Sequence, residues 1–231
     1  MKYMTKDWYN TMQKSHLFGI LQVDKKSGKF SEEYFQKLYE MKKEETIKIF
    51  KHQSKKKSIK KFEEIFKYQL SRIKKLLPME ILNEVKDIRV LALGHVTKDI
   101  YQKITEYSEN IEKYTKKKIQ DYNEHLTKQF KDKIPDFAKE YFHDCFIKKA
   151  TKKNKDFIIK LNNKKGLTQV TSIVFKDFEI VKQESNLKDR IWLYEEVYKL
   201  NNQYEYHVLL RNGESLEDFI IKCSNIELKY N

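Results

Sequence analysis

The sequence predicts an α+β protein: a helical N-terminal region followed by a C-terminal antiparallel β-sheet domain. Three observations carry this. Up to Pro135, apolar residues recur every three or four positions among dense charges, the period of a helix with one buried face. Beyond it, short β-branched and aromatic runs alternate with polar residues, and Asn212-Gly213 sits between two of them as a hairpin turn. The charge divides at the same place: residues 1–135 carry 31 Lys+Arg against 19 Asp+Glu, and residues 136–231 carry 17 against 15. The domains are therefore expected at 1–135 and 136–231.

Each element has a local reason. Thr5 caps a short helix carrying Trp8, Tyr9 and Met12. Ser31 caps the next, because its hydroxyl can accept an amide left free in the first turn. That helix is expected to bury Tyr34, Leu38, Met41 and its Ile47–Phe50 end. Lys55-Lys56-Lys57 reads as a charged break, and Ser58 starts a helix with Ile59, Phe62, Phe66, Leu70, Ile73 and Leu77 on one face. Pro78 opens another helix, where its missing N–H costs nothing, and Gly94 ends it. Thr97 opens the longest helix, running to about Phe130. Its seam of Ile100, Ile104, Tyr107, Ile111 and Tyr114 breaks at Lys118 and resumes at Ile119, Tyr122, Leu126 and Phe130. This predicts a bend or a change of packing partner near 115–118. The plainer reading is a bundle helix; a dimer coiled coil is the alternative.

Seven strands are expected: 145–150, 157–162, 170–175, 178–182, 192–200, 204–211 and 216–223. A three-residue loop at 201–203 sorts the apolar residues of the fifth and sixth strands onto one face, which a two-residue loop does not.

Composition narrows the function. The chain has 231 residues and a net charge of +14, with Arg only at positions 72, 89, 190 and 211. The excess of Lys, Tyr, Ile and Asn is also what an AT-rich genome supplies. Cys145 and Cys223 make neither a disulfide framework nor a zinc site. No signal peptide and no membrane-length apolar run is read, so a soluble cytoplasmic protein is expected. Lys26-Ser27-Gly28-Lys29 lacks the spacing of a phosphate loop, and G-x-S-x-G, H-E-x-x-H and C-x-x-C are missing. No catalytic residue, metal or cofactor is assigned.

Two polar constellations remain. His143-Asp144-Cys145 has the residue types of a nucleophilic set, but neighbours in a strand point to opposite faces, so it reads as a hydrogen-bonded histidine and a packed cysteine. The second follows from register. With Asn212-Gly213 as the turn, His207 faces Asp218, and Glu195 becomes a diagonal neighbour of His207. Two carboxylates beside a histidine would raise its pKa and could bind a metal or move a proton; a solvated charge network is the plainer reading. Glu196 falls alone among aromatics on the other face and, if buried, needs a partner. The candidate binding residues are His143, Asp144, Glu195, Glu196, His207 and Asp218. Candidate phosphate contacts are Lys55, Lys56, Lys57, Lys60, Lys61, Lys116, Lys117 and Lys118.

Several stretches carry a resemblance. Met1-Lys2-Tyr3 through Trp8-Tyr9, Ser31-Glu32-Glu33-Tyr34-Phe35, Leu76-Leu77-Pro78, Asp87 through Gly94, Phe142-His143-Asp144-Cys145 and Trp192-Leu193-Tyr194-Glu195-Glu196 together resemble the bacterial domain-of-unknown-function family numbered 4085. The resemblance spans essentially the whole chain and implies a fold, not an activity. The second part is also similar to small β domains of bacterial immunity proteins, through a His-Asp pair before a strand and the run Val170–Asp177. That likeness implies a non-enzymatic protein-interaction module, immunity- or antitoxin-like, with another protein as partner. A nucleic-acid-binding protein using the basic helical region is the alternative, and a metal- or proton-transfer enzyme the third reading.

Overall fold

A computed structural model describes every residue except 16–18, 20, 132 and 231. In chain order the elements are α1 (Lys6–Ser15), β1 (Gln22–Val23), a 3-10 turn (Lys25–Gly28), α2 (Glu32–Ile49), α3 (Lys55–Leu76), α4 (Met79–Leu82), α5 (Ile88–Ala92), β2 (His95–Val96) and α6 (Lys98–Phe130). A second 3-10 turn (Asp136–Ala138) leads to β3 (Phe146–Lys153), β4 (Asp156–Asn162), β5 (Val170–Lys176), β6 (Glu179–Gln183), β7 (Ile191–Leu200), β8 (Gln203–Asn212), β9 (Ser215–Cys223) and β10 (Asn225–Tyr230). The class is α+β, helices first and an eight-stranded antiparallel sheet after them. The chain forms two compact units: Thr11–Lys113, and Met1–Asn10 together with Tyr114–Asn231.

In the helical unit, caps set the boundaries. The Ser31 hydroxyl accepts from Tyr34 N–H at 3.2 Å, and Asp87 accepts from Arg89 N–H at 2.9 Å. Three expectations are corrected here. Lys55-Lys56-Lys57 is the first turn of α3 and not a break, because Ser54 is the cap and accepts from Lys57 N–H at 3.4 Å. The helix expected from Pro78 to Leu93 is two short ones, interrupted where Asp87 bends to cap α5. α2 turns Phe35 and Leu38 inward, and leaves Met41 and Ile49 exposed. Among the described residues of this unit, one apolar cluster gathers around Ile73, Leu91 and Ile104 and another around Phe35, Phe62 and Val90.

α6 is unbroken over 33 residues. Ile100, Ile104 and Ile111 are buried in its first half and Thr115, Tyr122 and Leu126 in its second, whereas Tyr114 is exposed. The seam thus passes through Thr115, and the helix contributes residues to both units.

The strands pair in the order β10-β5-β4-β3-β7-β8-β9-β6. β5 runs almost directly into β6, and β9 into β10, with the Ser224 N–H donating to Lys176 O at 2.9 Å at this corner. Since β6 pairs with β9 and β10 with β5, the sheet curls until its two ends meet. Its interior is filled by Phe142, Ile147, Ile159, Phe175, Trp192, Tyr206 and Phe219, among others. β10 is a strand missed by sequence reasoning; its run Asn225-Ile-Glu-Leu-Lys-Tyr offers only three apolar positions.

Two turns differ from expectation. Asn212 pairs with Ser215, so Gly213 and Glu214 are the central residues, and Gly213 takes φ +59°. Glycine at the first central position suits the mirror-image turn that matches strand twist. Leu200 pairs with Gln203, leaving a two-residue loop whose Asn201 has φ 53°. The three-residue loop follows from strict alternation along the strand, which a bulge at Leu193 breaks by slipping the register between Trp192 and Tyr194.

Candidate functional site

That bulge decides where the carboxyls go. Trp192 pairs with Leu210, then Tyr194 with Leu209, Glu195 with Val208, and Glu196 with His207. Directly opposed residues share a face, so Glu195 points inward with Val197, Val208 and Tyr206, and Glu196 points outward with His207. This reverses the expected assignment. His207 pairs with Ile220, and Asp218 with Leu209, so Glu195, His207 and Asp218 do not converge. Among the described residues, no group of His, Cys, Asp and Glu could hold a metal ion.

β7 has a second peculiarity. It pairs with β3 only at Phe146–Ile191, so much of its other edge lacks a strand. Buried backbone polar groups must be satisfied elsewhere, and side chains supply this. His143 Nδ1–H donates to Leu193 O at 2.6 Å, Val197 N–H donates to Tyr122 Oη at 2.8 Å, and Gln129 Nε2–H donates to Val197 O at 3.3 Å. His143 and Asp144 lie in a turn, not a strand, with Asp144 at φ 62°. Cys145 is wholly buried, and burial pushes its thiol up to about 11. A thiol held protonated makes a poor nucleophile.

Glu196 is fully buried and saturated by donors. Three successive backbone amides reach it: Lys2 N–H at 2.7 Å, Tyr3 N–H at 2.9 Å and Met4 N–H at 2.5 Å, with the Tyr198 hydroxyl as a fourth donor. A run of amides around an anionic group is a nest, here closed by the chain's own side chain. It pins residues 2–4 against the sheet. Trp8 is buried just beyond, edge-on to Tyr194 at 4.9 Å. His207 accepts at Nδ1 from the Met1 nitrogen at 2.8 Å and donates from Nε2 to Glu205 at 2.6 Å. Burial lowers its pKa, against the pull of Glu205. Asp218 joins a surface ion network with Lys182 at 2.7 Å and Lys6 at 3.6 Å.

Glu195 differs. It is partly buried and lines a cavity of about 60 Å³ with Tyr122, Tyr194, Tyr141, His143 and Glu140. Trp192 Nε1–H donates to it at 2.7 Å, a contact allowed by the bulge, which puts residues three apart on one face. Burial, with Glu140 nearby, pushes its carboxyl up to about 8 despite hydrogen bonds from Trp192 and the Phe142 amide. Sequence reasoning named Glu195 but missed Trp192, Glu140 and Tyr122 around it, since a bulge leaves no mark in alternation.

The lysine runs fare unequally. Lys117 pairs with Asp121 at 2.9 Å, Lys118 lies over the Tyr114 ring, and Lys116 is exposed. On α3, Lys61 packs over Phe50 at 3.8 Å, and Lys60 reaches Glu64 at 3.9 Å with both largely exposed. Lys55, Lys56 and Lys57 are exposed, as are Lys67, Lys74 and Lys75. α3 carries nine Lys+Arg against two Glu, +7 of the chain's +14. Tyr68 stands on this face, 61% exposed, with the Arg72 guanidinium 5.5 Å from its ring centre.

Fold and surface thus define a two-unit α+β protein, with one strongly basic helix and a curled sheet whose strand β7 carries one carboxyl on each face. No helix among the described residues is long and apolar enough to cross a membrane. Residues 3–221 match the family described as Protein of unknown function (DUF4085), and the chain belongs to that family. No curated protein and no solved structure matches it.

Proposed function

We propose that this is a binding protein whose working surface is the basic face of α3, and that its partner is single-stranded nucleic acid. The observation behind this reading is the make-up of that face. Lys57, Lys60, Lys67, Arg72 and Lys75 share one side of the helix with the exposed Tyr68, and one acidic residue, Glu64, lies among them beside Lys60. At 1.5 Å per residue the row from Lys57 to Lys75 is about 27 Å long. Lysines meet phosphates as point charges, and an exposed ring offers a base somewhere to stack. Stacking needs an unstacked base, which favours a single strand. An acidic protein meeting the same lysines is the competing occupant.

The test is fluorescence polarisation with a labelled thymidine 20-mer. Five phosphate contacts imply a slope near −3.5 in log affinity against log salt, so affinity should fall about 100-fold between 50 and 200 mM salt. The triple variant K60E/K67E/K75E should lose binding without a change in thermal melting, and Tyr68→Ala should weaken it several-fold. No binding at 50 mM salt, or equal binding by the triple variant, overturns the reading. So does a nuclease-resistant acidic protein held by the same lysines, which would reassign the face.

A further inference from the structure

We propose that the cavity beside β7 is a binding site for a small organic cation, an ammonium head carrying one or a few carbons. Two carboxyls there have no cationic partner among the described residues. Three carboxylates elsewhere in the strand-rich unit are paired with cations: Glu217 with Arg190 at 3.0 Å, Asp156 with Lys176 at 2.9 Å, and Glu184 with Lys6 at 2.7 Å. Among the described residues Glu195 and Glu140 have no Lys or Arg within ion-pair distance, although both line one cavity. Glu195's donors are a neutral indole and a backbone amide, and Glu140's is the Thr168 hydroxyl. Lys139 also lines the cavity, but it is exposed, and its ammonium lies 3.9 Å from Asp136.

The walls suit a cation. Tyr122, Tyr141 and Tyr194 line the same space, and aromatic faces attract cations through their quadrupole. Tyr206 is wholly buried on the inner face, a diagonal neighbour of Glu195. Its hydroxyl lacks a hydrogen-bond partner among the described residues, although Tyr206 does not itself line the cavity. The volume of about 60 Å³ suits an amine head and excludes a nucleotide. A divalent metal ion is a poor fit, since it demands several converging oxygen ligands.

The titratable groups around the Glu195 carboxyl are Glu140, His143, Cys145, Tyr122, Tyr141, Tyr194 and Tyr206. Among the described residues the one permanent cation lining the cavity, Lys139, is exposed and lies beside Asp136. A bound ammonium would hold Glu195 ionised, so binding strengthens as pH rises through about 8. This proposal is independent of α3, and its failure would leave the nucleic-acid reading untouched.

The experiment is calorimetric titration of the whole chain with methylammonium chloride at pH 9 and pH 6, with sodium acetate as the anionic control. Trp192 donates to Glu195, so tryptophan fluorescence gives a second readout. Expected are millimolar binding at pH 9, at least tenfold weaker binding at pH 6, and a fluorescence change that tracks occupancy. Glu195→Gln should abolish binding, and Glu140→Gln should weaken it several-fold, with both variants folded by circular dichroism. No methylammonium binding at pH 9, equal binding by Glu195→Gln, or preferential binding of acetate overturns the proposal. If Glu195→Gln does not fold, the wild-type pH dependence and the Glu140→Gln effect decide it by the same criteria.

Discussion

The helical unit and the strand-rich unit satisfy their backbones differently. A helix closes its own hydrogen bonds, so the helices within residues 11–113 call on side chains chiefly at their ends, and apolar clusters pack them together. A curled sheet with a partly free edge must import partners. β7 takes them from Tyr122, Gln129 and His143, and its outward Glu196 collects three amides from residues 2–4. The difference teaches where each unit is fragile. The helical unit depends on apolar volume, the strand-rich unit on a few irreplaceable polar contacts.

The largest expected effect breaks that contrast at its strongest point. Glu196→Ala leaves three amides and the Tyr198 hydroxyl without an acceptor in a buried place. Each orphaned donor costs about 1–3 kcal/mol, so a loss of at least about 3 kcal/mol follows. Both tryptophans, Trp8 and Trp192, belong to the strand-rich unit. Their fluorescence therefore melts with that unit, and circular dichroism at 222 nm weights the helices. Glu196→Ala should lower the fluorescence midpoint by several degrees. An unchanged midpoint would show that residues 2–4 do not anchor on Glu196.

The next effect is a divergence with pH. Glu195 rises from 4.5 to about 8 on folding. Its group contributes full stability below about 4.5 and loses it as pH climbs through 8. His95 moves the other way in effect: it is buried, neither ring nitrogen has a hydrogen-bond partner among the described residues, and burial, then Lys42, lowers its pKa from 6.5. Asp24 and Glu45 oppose the shift but do not reverse it. Stability tied to His95 is therefore complete above about 6.5 and fades as pH falls below it. Glu195→Gln should raise the fluorescence midpoint at pH 9 by a few degrees, on the order of 1–2 kcal/mol, and change little at pH 5. His95→Phe should flatten the acid limb of the 222 nm melt, and His207, lowered by burial in the other unit, should not mask it there. Parallel pH profiles for wild type and both variants would contradict the assignments.

Much of this architecture was legible because its signals are local. Ser31 and Asn212-Gly213 announce an edge of an element within four residues, and the 3.6 and 2 periods announce the class. The candidate site was legible only as names. Glu195 and Glu196 were both singled out, but their faces were exchanged, since one bulged residue at Leu193 inverts every face after it. The amides that seat Glu196 lie 192 to 194 residues away in the chain. A contact of that span is set by the closed fold, and no window along the chain contains it.

The smallest expected effects compare the two units at their joints. Ser31→Ala removes the acceptor for Tyr34 N–H at the start of α2, which costs about 1 kcal/mol for a cap of this kind. Gly213→Ala meets no atom within 4 Å, so sterics outside the residue cost nothing, but φ is +59°. An L side chain there costs roughly 1 kcal/mol. Similar magnitudes should nevertheless spread differently. The cap change should act on α2 alone, raising amide exchange over residues 32–35 while β8 and β9 stay protected. The turn change sits between two strands whose register it helps to set, so exchange should rise along both 203–212 and 215–223. If Gly213→Ala raises exchange only at 212–215, register in this hairpin is held by the packing of Tyr206, Phe219 and Ile221, and the turn merely connects the strands.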